Sequence, residues 1–313
     1  MPPRKASRAS FVVWAVLVAA LAIGSWSTPA GEPPAADASF APNLLAWRQD
    51  RLERLTSEDG WLTLAGLFWL EEGANTCGSD PSSNLVFPGR SVPPKIGVFY
   101  RRGEEVELEP APGVAVTAAG EPIAGRLRLD SDATGVPTRL QLGSLDFHLI
   151  RRGDRFGVRL KDSQSPLRLH FPGLDYFPAD VSWRVAARFE PHVPPKRVSV
   201  PNVLGTVNEE ESPGAVVFER GGVSYRLDAL PGSEGELFLV FGDATSGKES
   251  YGGGRFLYAD PPDADGKVLL DFNRAYNPPC AFTAFATCPL PPPENKLKLA
   301  IEAGEKKFAG GHH

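Results

Sequence analysis

The sequence predicts a mainly β protein: two antiparallel β-sandwich or barrel domains preceded by one short helix. Three observations carry this expectation. Apolar residues alternate with polar ones in many short runs, as in Ile96/Val98/Tyr100, Leu145/Phe147/Leu149 and Phe156/Val158/Leu160. That period of two suits strands with one buried face. The 32 Gly and 31 Pro punctuate these runs at intervals of roughly 8–12 residues, the spacing of sandwiches and barrels. One segment alone has a helical apolar spacing, so the strand–helix–strand units of a parallel sheet are missing.

Taken in order, residues 1–30 read as a secretory signal. Arg4, Lys5 and Arg8 precede an apolar run of 14 residues, 11–24 (FVVWAVLVAALAIG). A spanning helix needs about 20 such residues, a signal core roughly 7–15. Small residues near Ser27 and Ala30 offer a cleavage point, and an uncleaved N-terminal anchor is the alternative. A periplasmic or secreted protein is therefore expected, with no membrane contact beyond the signal. Residues 31–42 are a Pro/Ala linker. Residues 43–57 (NLLAWRQDRLERLTS) are the helix, with Leu44, Trp47, Leu52 and Leu55 on one side and the Arg and Glu residues on the other. Residues 61–70 (WLTLAGLFWL) are a buried apolar element beside it.

An N-terminal sandwich is expected over residues 43–175, with strands at 96–100, 106–108, 114–116, 145–149 and 156–160. Residues 166–180, rich in Pro and aromatics, form the boundary. A C-terminal β domain follows over 176–308, with strands at 183–189, 216–218, 223–230, 236–241, 255–258, 268–272 and 297–301, and residues 309–313 are a disordered tail.

The net charge of −5 excludes a generally basic nucleic-acid binder, and loss of residues 1–30 takes away three bases and no acid, moving the chain to −8. No Gly-x-Ser-x-Gly, His-Glu-x-x-His or Cys-x-x-Cys occurs, so neither a metal nor a cofactor is expected. Gly242 to Lys248 approaches a P-loop, but Glu249 stands where Ser or Thr would hold magnesium, and three glycines, 252–254, make a poor helix start. Arg155, Arg159 and Lys161 share one face of a strand and read as a solvated or carboxylate-paired stripe, with binding of an anion or carboxylate as the alternative.

Residues 267–306 crowd polar groups among apolar ones. Asp271 and Glu305 are candidate acid and base, and Arg255, Asn273, Tyr276, Asn295, Lys248 and Tyr251 are candidate ligand-binding residues. Arg255 and Lys248 would favour an anionic group on a small molecule. Whether the protein is an enzyme stays open, because no nucleophile–base pair is visible. The best reading is a small-ligand pocket in the C-terminal domain, with hydrolysis as one use of it. The alternative is a non-catalytic envelope scaffold or interaction protein braced by a polar network. Cys280 and Cys288 are close in sequence in an exported chain, so a disulfide is expected, with metal ligation as the alternative. Cys77 is then a small buried apolar residue.

Several motifs resemble a bacterial family of unknown function, domain family 1684. They are WR at 47–48, GWLTLAGLFWL at 60–70, RRGDRFGVRLKD at 151–162, FGDATSGKESYGGGRFL at 241–257, DFNRAYNPPCAF at 271–282, CPLPPPENKL at 288–297 and AGEK at 303–306. The resemblance implies one shared architecture over about 43–307 and lends no reaction. The first half is also similar in order to a forkhead-associated sandwich. The residues with which that family reads phosphothreonine are not matched, since Gly78 is followed by Ser79 and SVPPK at 91–95 lacks His.

Overall fold

The computed structural model describes residues 38–89 and 92–310. The expected signal at 1–30, most of the linker, Ser91 of the SVPPK stretch and the last three residues of the tail lie outside them. Helix α1 (Phe40–Thr56) and a single turn at Trp61–Thr63 lead into β1 (Leu64–Trp69). Then come β2 (Gly73–Gly78), β3 (Leu85–Val86), β4 (Gly97–Arg102), β5 (Glu105–Pro110), β6 (Thr117–Ala118), β7 (Glu121–Pro122) and β8 (Leu127–Arg128). The first half ends with β9 (Arg139–Leu142), β10 (Leu145–Arg152), β11 (Arg155–Asp162) and the one-turn α2 (Pro166–Leu169). The second half holds β12 (Arg184–Pro201), β13 (Val207–Arg220), β14 (Val223–Pro231), β15 (Leu237–Phe241), β16 (Arg255–Ala259) and β17 (Lys267–Asp271).

The protein is mainly β, as its alternation predicts. In the first half, a sheet ordered β1-β11-β10-β9-β6-β7 faces one ordered β3-β2-β4-β5-β8. Pairing is antiparallel except between β2 and β3. Phe99 and Leu108 from one sheet meet Phe147, Val158 and Leu160 from the other in a common core. In the second half, β16-β15-β14-β13-β12-β17 curls around Phe218, Leu239, Phe241, Leu270 and Phe272. Residues alternating with these point the other way: Val240 and Phe256 pack with Val198, Val200, Cys280 and Cys288, and Leu64 of β1 joins them. Each full burial of such a side chain stabilises by about 1.5–3 kcal/mol.

Two expected strands are absent. Residues 114–116 turn, because the Val114 amide donates to Ala111 O and the Val116 amide to Val114 O, leaving no ladder donors. Residues 297–301 run beside the 242–244 segment without forming a strand. The Leu297 amide reaches Gly242 O, but the Ile301 amide is taken by the Asp243 carboxylate at 2.7 Å. A side chain replaces the ladder there. The helix buries Leu44 and Leu55 as its periodicity predicts, but Arg51, expected on the polar side, is buried with them.

Candidate functional site

Helix α1 sets Leu44, Arg48, Arg51 and Leu55 at intervals of four, three and four, which places them on one face. The two arginines therefore enter the protein with the leucines. Arg51 Nε donates to Glu305 Oε1 at 2.9 Å, and its Nη2 donates to Asn277 O at 3.0 Å. Glu305, completely buried, accepts the Asn277 amide on Oε2 at 2.8 Å. Gly304 holds the chain at φ +79°, and a Cβ there would lie 2.3 Å from Ala275 O. This close approach, sealed by the Glu305 amide on Ala275 O at 2.8 Å, aims Glu305 at the helix. Arg48 lies 4.1 Å from the Tyr176 ring centre and donates to Phe177 O at 3.4 Å. Tyr176 Oη, Asn277 Oδ1 and Arg48 Nε are buried without a partner, each an unusual cost for a buried polar atom. Burial pushes the Tyr176 and Tyr276 hydroxyls up from the ordinary phenol range, so both stay protonated.

Above this network opens a cleft of about 630 Å³. Its walls are Trp47, Trp61 and Tyr276, its rim carries Asp50, Glu53, Arg54 and Asp59, and Arg51 lies at its base. The Trp47 and Tyr276 ring centres are 6.5 Å apart, and the Arg51 guanidinium sits 4.7 Å from the Tyr276 ring centre. Arg54 is tied to Asp50 at 2.8 Å. The Arg51 side chain is 10% exposed, and its Nη1 has no hydrogen-bond partner among the described residues. With Arg51 neutralised by Glu305 and Arg54 by Asp50, the remaining charge of the rim is that of Glu53 and Asp59.

The candidate residues from the C-terminal motifs do not gather around one opening. Arg255 is wholly buried; it donates to Ile301 O at 2.9 Å and to Asp243 Oδ1 at 3.3 Å, and also to Ala303 O. Desolvation lowers its pKa, and Asp243 opposes that shift. Its carboxylate partner is thus Asp243; Asp271 instead lies 3.8 Å from Arg184 and 3.6 Å from Arg274. Asn273 is pinned to the Asp180 backbone through both ends of its amide and also donates to Asp271 Oδ1 at 3.0 Å. Asn295 accepts the Asp228 amide at 2.8 Å and donates to Asp228 O and Val240 O. Lys248 is exposed. Tyr251 donates to Cys280 O at 3.1 Å. Of the eight candidates, Tyr276 lines the cleft, and Glu305 supports it from beneath through Arg51.

The near-P-loop makes consecutive turns, with Thr245 O accepting the amides of Lys248, Glu249 and Ser250, and no helix follows. Gly254 explains part of the glycine run. It has φ +84°, and a Cβ would stand 2.4 Å from the Pro291 ring and 2.6 Å from Phe241 O. The glycine makes room for the protein's own chain. A groove of about 550 Å³ does lie beside this loop, with Ser246 and Lys296 on its wall.

Cys280 and Cys288 are free thiols in the structure, where a bridge was expected, yet they are neighbours: the Cys280 amide donates to Cys288 Sγ at 3.2 Å. Hydrogen bonding from Cys288 holds the Cys280 thiol below its ordinary pKa, and the same bond together with burial raises Cys288. Arg159, read from sequence as part of a solvated stripe, is buried and donates to Thr287 Oγ1 at 3.0 Å. Burial, with Arg152 nearby, brings its pKa down to about 10. Among the described residues no three or more His, Cys, Asp or Glu come together to hold a metal, and no helix is long and apolar enough to cross a membrane.

Trp47, Arg51 and Trp61 were not among the candidates drawn from sequence. The signal for Arg51 was its place in the stripe of Leu44 and Leu55, a charge where the helix period requires an apolar group.

The family model of DUF1684, described as a protein of unknown function, matches residues 169–306. Among solved structures, an uncharacterized protein of Haloarcula marismortui is 36% identical, covering 44% of this chain and 78% of its own, with a TM-score of 0.37. The Rv0020c FHA domain is 15% identical at TM-score 0.21, covering 29% of this chain and 76% of its own. A phosphothreonine-dependent FHA domain is 14% identical at TM-score 0.22, covering 30% and 92%. No curated protein matches the chain.

Proposed function

We propose a function from the geometry of this chain itself, since it belongs to DUF1684, a family of proteins of unknown function: an exported protein that holds a small polar ligand in the cleft beneath α1. One observation carries the reading. Arg51 is fixed by Glu305 and Asn277, nearly removed from water, and keeps one nitrogen unpaired at the base of an opening walled by three aromatic rings. A concave site with aromatic walls and a few fixed polar groups is the usual form of a ligand pocket. An oxygen acceptor on the ligand would take Nη1, and the rings would cover its faces.

The reading stops at binding. Glu305 is sealed beneath Arg51, and Asp271 is turned to Arg184 and Arg274, so no two carboxylates face one substrate. An anionic ligand rested on Lys248 and Arg255, which line no part of the cleft. The acidic rim favours an uncharged or cationic molecule. Export is supported by the basic start and apolar run of residues 1–30, and the adjacency of Cys280 and Cys288 supports a bridge formed in an oxidising compartment. The fully paired amides of Asn273 and Asn295 favour the second reading, a scaffold braced by polar groups.

A thermal-shift screen of small polar compounds separates the two. A ligand at one hundred times its Kd stabilises by about 2.7 kcal/mol, a shift of a few degrees for a chain of this size. The expected result is a compound that raises the wild-type Tm and leaves Trp61→Ala unmoved. Trp61 is 40% exposed, so its loss leaves the fold intact. A compound that shifts both proteins equally binds elsewhere and would sink the cleft as the site.

A further inference from the structure

The cleft does not end at its rim. A second opening of about 340 Å³ shares Asp59 with it and is lined by Glu58, Gln141, Asp146, Lys161 and Ser163. A third, of about 450 Å³, shares Gly143, Ser144 and Leu145 with the second and carries Gln164 and Pro166. The three meet along the segment after α1 and the hairpin between β9 and β10, where Gly143 takes φ +60°. Adjoining openings of this kind suit an extended molecule that lies across all three.

We infer that this groove binds a linear, uncharged oligosaccharide, a reading that rests on the cleft being a ligand site. The composition along the groove selects the class. At one end Trp47 and Trp61 match the C–H faces of sugar rings, which carry partial positive charge toward the negative ring face, while the Tyr276 ring is held by Arg51 at 4.7 Å and by Tyr258 stacked at 6.5 Å. Through the middle run an amide, hydroxyls and carboxylates, groups that pair with many hydroxyls at once. The fixed cations are engaged: Lys161 donates to Asp59 O, Arg54 pairs with Asp50, and Arg51 with Glu305. Glu53, which accepts from Gln49, and Asp59, which accepts from Ser57, keep their negative charge on the groove, with Glu58 3.9 Å from Arg168, and would repel a polyanion such as a uronic-acid chain. A fixed aromatic end followed by hydroxyl-binding positions explains a site longer than a single ring.

The test is titration calorimetry on the purified full chain. The panel holds neutral hexasaccharides of β-1,4-glucose, α-1,4-glucose and β-1,4-N-acetylglucosamine, their disaccharides, a hexagalacturonate and a lysine-rich hexapeptide. The expected result is one neutral hexasaccharide binding at least tenfold more tightly than its disaccharide, with the hexagalacturonate not binding. Gln141→Ala, on the exposed face of β9 and in the second opening, should remove most of that length advantage and spare the disaccharide. Trp61→Ala should weaken both. Equal affinity for hexamer and disaccharide overturns the groove and leaves the cleft standing. No saccharide binding, alongside a small molecule that shifts wild type and not Trp61→Ala, also overturns the groove alone. Preference for the hexapeptide overturns the saccharide class. Absence of binding by every member and by every small polar compound overturns the groove and the cleft together.

Discussion

Single residues in this protein show how differently buried charge can be used. Arg255 and Glu305 are both wholly buried, and each is surrounded by the protein's own donors and acceptors. Arg255 is paired with Asp243 and Glu305 with Arg51, and removing one member of a buried pair typically costs about 3–5 kcal/mol, because the other is left charged and alone. His148 takes the opposite course. It sits on β10 opposite Arg159 and Arg139, with Lys161 near, and its Nδ1 is buried without a hydrogen-bond partner, 4.0 Å from Asp146. Burial first, then the charges of Arg159, Arg139 and Lys161, bring its pKa down to about 4; Asp132 opposes them. The fold therefore holds the neutral ring. Between about pH 6.5, where an unfolded His titrates, and about pH 4, the unfolded chain takes up a proton that the folded chain refuses. Stability is full above that window and falls as the pH drops through it, by on the order of 3 kcal/mol. Urea unfolding at pH 7.5 and 4.5 measures the difference, and His148→Phe should remove most of it. A variant as pH-sensitive as the wild type would assign the effect to other groups.

At the scale of elements, backbone geometry decides what the polar motifs do. Gly304 has no room for a Cβ, while Gly73, with φ +93°, has nothing within 4 Å of that position. Both substitutions strain the backbone, but only the first also pushes the chain off Ala275 and carries Glu305 from Arg51. Gly304→Ala should cost on the order of 3 kcal/mol and Gly73→Ala about 1 kcal/mol, read from urea midpoints. Similar losses in the two would show that the contact with Ala275 relaxes freely.

Elements with an apolar face of period two were legible in the sequence. β10, β11 and β12 were found this way, although β10 and β11 also bury His148 and Arg159 on their other face. Where amides bond to turns or to a carboxylate, as at 114–116 and 297–301, alternation looks the same and no ladder forms. The helix and its apolar side were found, Leu44 and Leu55 being buried and Trp47 and Leu52 half-buried, but Arg48 and Arg51 share that side, because their partners, Tyr176 for one and Asn277 and Glu305 for the other, come from far along the chain. The cleft shared that fate. Tyr276 was legible as an aromatic among polar residues, whereas Trp47 and Trp61 looked like ordinary core.

The molecule as a whole carries the proposed export and redox state. Intact-mass measurement on protein from the cell envelope should show loss of about 27–30 residues, as cleavage near residue 30 requires. Unreduced, it should also be lighter by two hydrogens, with Cys77, whose thiol is pushed up to about 12 by burial, remaining free. Retention of Met1 would favour the anchor, and a mass that reduction leaves unchanged would leave Cys280 and Cys288 as the thiol pair of the structure.

The tie between Arg51 and Glu305 spans 254 positions, and that separation has a meaning in time. At about 5–20 residues per second of synthesis, residue 305 follows residue 51 by roughly 13–50 s. For that interval the guanidinium lacks the carboxylate with which it enters the core. Of the described helices α1 is thus the first to be made and waits longest for its partner, and the cleft is complete only when the far end of the chain closes beneath it.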